Sequence, residues 1–285
     1  MTNSSTVLLV VLATAALHAV WNAVAKSIGD RWVATFLFGS AIAVSGVVGA
    51  VVATATLGLP DPASWPFLVF SAVLQCVYMV LLTRAYSLGQ MSRLYPIARG
   101  TSPVVVTAVA VLFLHERLST VAWLGLALLV FALATLALSR GLPRPGTGLG
   151  LALLTGLVIA AYSLLDGVGV RMTAEPLPYI CWMFAVLGPL LAGLSAWQMG
   201  PGRRERLRGN VRMGLFGGLM SVTSYGIVVW AQAYAPLALV SAVRETSVVW
   251  GVLIARFMLG EHLWRREVVA IVCAAAGAVL LQLGG

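Results

Sequence analysis

Apolar residues gather in ten stretches, 5–27, 32–56, 65–86, 91–114, 119–139, 148–170, 177–198, 211–234, 237–259 and 265–283. Each is close to the about 20 residues that a helix needs to cross a bilayer. Turn-forming residues break the pattern at Gly29 and Asp30, at Pro60, Asp61 and Pro62, across the GLPRPGT stretch at 141–147, at Pro176 and Pro178, and at Gly200, Pro201 and Gly202. Short breaks of this chemistry end one helix and start the next. The pattern predicts an all-α membrane protein of ten transmembrane helices, with no soluble domain and no low-complexity tail.

One polar signature occurs twice. Residues 94–118 read LYPIARGTSPVVVTAVAVLFLHERL and residues 239–263 read LVSAVRETSVVWGVLIARFMLGEHL. At a fixed offset of 145 (239 − 94) nine of the 25 positions are identical, among them Arg99/Arg244, Thr101/Thr246, Ser102/Ser247 and Glu116/Glu261. Chance similarity of apolar runs would match Leu and Val, not this polar set. The first spans of the halves align at an offset of 141, through Leu12/Leu153, Thr14/Thr155 and Ala19/Ala160, with Trp21 against Tyr162. The chain therefore reads as a duplication, with repeats at 1–142 and 147–285. Five helices per repeat is an odd number, so the repeats are expected to be inverted. Inverted repeats place a substrate site near the bilayer midplane between the halves, as in secondary transporters.

Composition makes lipid the solvent. The chain is 60% hydrophobic and 9% charged, against roughly 25% charged in soluble domains. The net charge of +9 sits mostly in loops and reads as a topology signal, not a nucleic-acid patch. Cys76, Cys181 and Cys273 lie in apolar runs with no CxxC partner, so they read as buried side chains and not as zinc ligands or disulfides. No metal or cofactor is expected. The apolar run at 7–17 lacks the preceding basic residues of a signal peptide, and the repeat needs it as a helix.

Loop charge gives an orientation. The loops after the odd-numbered spans hold Lys26, Arg31, Arg93, Arg140, Arg144, Arg203, Arg204, Arg206, Arg208, Arg212, Arg265 and Arg266, and the opposite loops hold little beyond Arg117 and Arg171. The basic side is expected to be cytoplasmic and both termini periplasmic.

Polar residues at bilayer depth are costly and so are site candidates. On the first span His18, Trp21 and Asn22 share a face with Thr14 and Ala25, either lining a cavity or bonding neighbouring helices. On the sixth, Tyr162 and Asp166 continue a face from Thr155. Asp166 is a candidate proton acceptor, or the counter-charge to Arg99 or Arg244. Those two arginines are the sharpest pair, because a buried guanidinium grips a carboxylate or phosphate through two parallel bonds. The opposing possibility is that each neutralises an internal acid. Glu245 follows Arg244 where the first repeat has Gly100; at about 100° per residue the two side chains need not pair. Pro96, Gly100 and Pro103 are expected to interrupt the fourth span. Tyr78 on the third span and Tyr225 on the eighth add hydroxyls, alongside Gln75, Ser221, Ser224 and Gln232. Glu116 and Glu261 close their spans and are expected to bond helix ends or loops.

These segments resemble the drug/metabolite transporter superfamily, EamA type, over nearly the full length. The resemblance rests on the ten spans in two halves, YPIARGTSPVVV at 95–106, LVSAVRETSVVWGVL at 239–253, and the Leu-x-Glu endings at Leu114–Glu116 and Leu259–Glu261. HAVWN at 18–22 looks like a variant within that family linked with phosphonate utilisation. The resemblance implies an inner-membrane carrier with a central cavity, whose wall here would be His18, Trp21, Asn22, Tyr78, Arg99, Tyr162, Asp166, Tyr225, Arg244 and Glu245. Many relatives place both termini in the cytoplasm, the reverse of the charge count.

The expected function is export of a small polar metabolite, such as an amino acid or organic anion, by alternating access. Protons are a candidate coupling ion through Asp166, Glu245 or His18, and the protein would act as a monomer or homodimer in the bilayer. There is no phosphate-binding loop through which ATP could drive it, no HExxH, and no nucleophile beside a histidine at helical spacing, so an enzyme is the weaker class. A multidrug exporter of lipophilic cations, binding through Asp166 and Glu245, is the main alternative.

Overall fold

The computed structural model describes residues 4–88, 91–138, 148–200, 202–250 and 264–284. Among the described residues the regular elements are all helical. The first half of the chain gives α1 (Ser4–Ser27), α2 (Arg31–Leu57), α3 (Trp65–Leu88), α4 (Met91–Leu112) and α5 (Thr120–Leu138). The second gives α6 (Leu149–Arg171), α7 (Pro176–Met199), α8 (Val211–Tyr234), α9 (Leu237–Arg244) and α10 (Arg265–Leu283). A 3-10 turn, Pro62–Ser64, leads into α3, and a helical turn, Arg203–Leu207, joins α7 to α8. Asp30 starts α2 by accepting from the backbone N–H groups of Trp32 and Val33 at 3.0 and 3.2 Å, a side-chain cap that satisfies two orphan donors.

Eight helices among the described residues are long and apolar enough to cross a membrane, and α4 adds a shorter apolar stretch, Pro96–Leu112. Among the described residues, eight of the ten expected spans meet this measure. The ninth expected span, 237–259, departs from a continuous helix and leaves the described residues after 250.

The interruption falls on the other repeat from the one expected. Pro96 and Pro103 lie inside α4 and do not end it; a membrane helix tolerates a lost N–H when neighbouring groups satisfy the freed carbonyl. In the proline-free partner, α9 stops at Arg244. There the Glu245 N–H donates to the Ala242 carbonyl at 3.0 Å and the Thr246 N–H to the Val243 carbonyl at 3.1 Å. These three-residue spacings mark the tighter coil that often occurs at functional sites in mid-helix. Residues 247–250 return to helix.

The chain folds into two compact units, and α1, α3 and α6 contribute to both. One unit takes the chain up to Ala16, Val77–Leu164 and everything from Tyr234; the other takes Leu17–Cys76 and Leu165–Ala233. In the second unit, α2 and α7 pack along glycines. A methyl on Gly188 would collide with the backbone of Ala43, and one on Gly46 with the backbone of Phe184 and Ala185. In the first unit, α5 and α10 meet through Gly125 and Gly277, where an added Cβ on either would come within 2.8 Å of the other's carbonyl oxygen. Small residues let helices approach without a hydrophobic effect between them, which is how membrane helices associate. The outward faces complete the pattern: on α2, Val44, Val48 and Val51 are exposed while Gly46, Ala50 and Ala53 are buried. Branched apolar groups outside and small ones inside suit a lipid solvent.

Candidate functional site

In the first unit α4 and α9 run antiparallel. At the far end of α4 the Glu116 carboxylate accepts from the first N–H groups of α9, Leu237 at 2.8 Å and Ala238 at 3.2 Å. Near its beginning, Arg99 reaches the other end of α9: its Nη2 donates to Ser247 Oγ at 3.1 Å. Between these ends Val106 and Ala110 of α4 pack with Leu237, Ala238 and Ala160. Glu116 does what was expected of it, bonding a helix end, and an anionic group there also meets the positive pole of the helix dipole. Glu261 lies outside the described residues.

The two arginines share one carboxylate. Arg99 Nε lies 2.6 Å from Glu245 Oε2. Arg244 approaches the other oxygen, with Nε and Nη2 each 3.3 Å from Oε1. Its remaining terminal nitrogen, Nη1, donates to Ser163 Oγ on α6 at 3.1 Å. All three charged residues are buried, with Glu245 at 0% exposure. Angular spacing on a regular helix would have sent Arg244 and Glu245 apart. They meet because the helix ends between them and the backbone tightens, changing the angle at which each side chain leaves.

Among the described residues of this unit, Glu245 is an acid that both arginines share. Asp166 instead lies in the second unit, where Tyr179 Oη donates to its Oδ1 at 3.2 Å and Tyr225 Oη to its Oδ2 at 2.5 Å. Asp166 is a fully buried carboxylate that accepts from two phenols. Phe184 meets the Tyr225 ring edge-on, with centroids 6.4 Å apart.

The remaining candidates divide between the units. Tyr78 and Tyr162 stand edge to face in the first, 6.0 Å between centroids. In the second, His18 meets Trp21 at 4.9 Å and Trp21 meets Phe38 at 5.9 Å. The Asn22 side-chain amide donates to the His18 carbonyl of its own helix at 2.7 Å. Thr14 likewise bonds its own helix, at the Val11 carbonyl, 2.7 Å away. The predicted polar face of α1 is thus split, with Thr14 in one unit and His18, Trp21 and Asn22 in the other. Trp21 and Tyr162, matched in sequence, sit in different aromatic surroundings.

Sequence reasoning passed over Ser163 and Tyr179. Tyr179 is fully buried at the start of α7. A lone phenol within an apolar span was its available signal, because a buried hydroxyl seeks a partner. Ser163 carried no comparable mark, since Ser in membrane helices is common.

Eight apolar spans among the described residues, with charged clusters buried inside the helix packing, define a multi-pass membrane protein. The particular class follows from comparison. The chain belongs to the EamA-like transporter family, whose model matches residues 5–138 and 146–283. It is accordingly a membrane transporter of the drug/metabolite transporter superfamily, moving a small molecule across a lipid bilayer. No curated protein matches it. Solved structures do: one, described only as a protein crystal structure, is 17% identical over 99% of this chain and 99% of its own, with a TM-score of 0.70. At that identity the likeness shows the fold.

Proposed function

We propose that the protein is an inner-membrane exporter of a small anionic or zwitterionic metabolite, such as an amino acid or organic anion, working by alternating access of two inverted repeats, 1–142 and 147–285. The observation that carries this reading is the convergence of two buried guanidiniums on one carboxylate. Both guanidiniums are buried, and a planar guanidinium in a low-dielectric setting binds a carboxylate or phosphate strongly through paired bonds. A substrate carboxylate or phosphate presents the same paired oxygens as Glu245, so it competes with that side chain for Arg99 and Arg244. Protonating Glu245 releases both guanidiniums. A proton on Glu245 and an anion on the arginines therefore favour each other, and the two cross together. Export then runs down the gradient of a metabolite made inside the cell. Asp166 and His18 are the other proton candidates, and Tyr78 and Tyr162, in the same unit as the arginines, supply aromatic wall. By loop charge the arginine-rich loops are cytoplasmic and both termini periplasmic.

The test is thermal stabilisation of purified protein by amino acids, phosphonates, phosphate esters and lipophilic cations at two pH values. A ligand of the folded state raises the melting temperature by mass action. Stabilisation by anionic or zwitterionic compounds, stronger at the lower pH and lost in Arg99→Gln and Arg244→Gln, is expected. Stabilisation by lipophilic cations alone would overturn the reading in favour of a multidrug exporter, as would unchanged anion binding in both arginine variants.

A further inference from the structure

The duplicated motif makes a contact in one direction that it leaves unmade in the other. At the offset of 145, Arg99 corresponds to Arg244 and Ser247 to Ser102. Arg99 donates to Ser247 at 3.1 Å. The image of that bond is Arg244 to Ser102, and here Arg244 bonds Ser163 and Glu245 instead. The Ser102 hydroxyl is left with no hydrogen-bond partner, at 0% exposure. A buried hydroxyl without a partner is a cost that native structures rarely accept without a use for it.

Ser102 is well placed to be that missing acceptor. It lies one turn from Arg99 and one turn from Val106 on α4. Arg99 faces the region of Glu245 and Ser247, and Val106 packs in the cluster with Leu237 and Ala238. The antiparallel register therefore sets Ser102 across from the last turn of α9, residues 241–244. What breaks the symmetry is Glu245, whose counterpart is Gly100. A carboxylate on one repeat alone draws both arginines toward itself and leaves the other repeat's serine unused.

We propose that Ser102 is a positioning residue for the second conformational state of the carrier. In that state Arg244 donates to Ser102 and Arg99 releases Ser247, so the two repeats exchange the roles they have here. Each serine holds one end state, and each arginine alternates between a held and a released arrangement. The inference deepens the alternating-access reading and rests on it.

State populations test it without a known substrate. Spin labels at Leu112 on α4 and Trp250 after the α9 break, both exposed, report the arrangement of the two helices by electron–electron distance measurement. Ser247→Ala removes a bond that exists here and is expected to move the ratio of states about tenfold away from this arrangement. Ser102→Ala removes the acceptor of the other state and is expected to move the ratio about tenfold the opposite way. The double variant is expected to return close to the wild-type ratio, a compensation that simple loss of packing does not produce. Unchanged distances in both single variants, or shifts of both in one direction, would overturn the proposal. Loss of anion stabilisation in the arginine variants is read separately from these ratios. Opposed shifts without any anion binding would retain Ser102 and refute the substrate class, and anion binding without opposed shifts would do the reverse.

Discussion

Replacing Glu245 with Ala strips the shared carboxylate from two buried guanidiniums. Arg99 and Arg244 are 4% and 3% exposed, so neither can turn to water without disrupting its helix. Removing one partner of a buried ion pair costs about 3–5 kcal/mol, because the charge left behind keeps its desolvation penalty. At roughly 2–4 °C per kcal/mol for a chain of this size class, the melting temperature should fall by roughly 6–20 °C. Arg99→Ala should cost less, about 1–3 kcal/mol, since Glu245 keeps Arg244 at 3.3 Å. The deletion also leaves a space between two cations that formate fits. At 100 times its Kd, a bound anion restores about 2.7 kcal/mol, so formate should recover much of the loss in Glu245→Ala and nothing in the wild type. The assay is thermal unfolding of detergent-purified protein with and without formate, with chloride matched for ionic strength. A Glu245→Ala variant as stable as wild type, or one that formate leaves unchanged, would refute the account of the cluster as a carboxylate shared by two arginines.

Glu116→Ala removes the acceptor for the N–H groups of Leu237 and Ala238 and should cost about 1 kcal/mol, the usual worth of a lost helix cap. Glu116→Gln should recover part of it, because an amide oxygen still accepts one bond; equal stability of all three proteins in thermal unfolding would contradict the cap. A C-terminal alkaline phosphatase fusion should be active, as expected of a periplasmic terminus, and a C-terminal green fluorescent protein fusion dark. The reverse pair of signals would place the termini in the cytoplasm and show that loop charge misassigned the spans.

Much of this molecule was legible from apolar run length. The helix bounds of α1, α2, α8 and α10 fall within a residue or so of the runs read from sequence, because a bilayer demands near-constant helix length and penalises every polar residue inside it. The equivalence of Arg99 and Arg244 was also legible, since a repeat of polar positions inside apolar runs has few causes other than duplication. Glu116 was read correctly as a helix-end group. Periodicity says which residues share a face of one helix, but not which other helix that face meets. On α1, Thr14 belongs to one compact unit and Trp21 packs on Phe38 in the other.

Residue pattern was enough to establish a duplicated, multi-pass, helical membrane transporter with two equivalent arginines inside its apolar runs. How those charges are satisfied depends on the packed helices. The fold took Asp166 to Tyr179 and Tyr225, gave both arginines to Glu245, and broke α9 after Arg244 where two prolines had pointed to α4. The physical reason is that a buried charge takes the partner that reaches it at hydrogen-bond distance. That choice depends on helix register and on a few degrees of backbone winding, and neither is written in the spacing of residues along the chain.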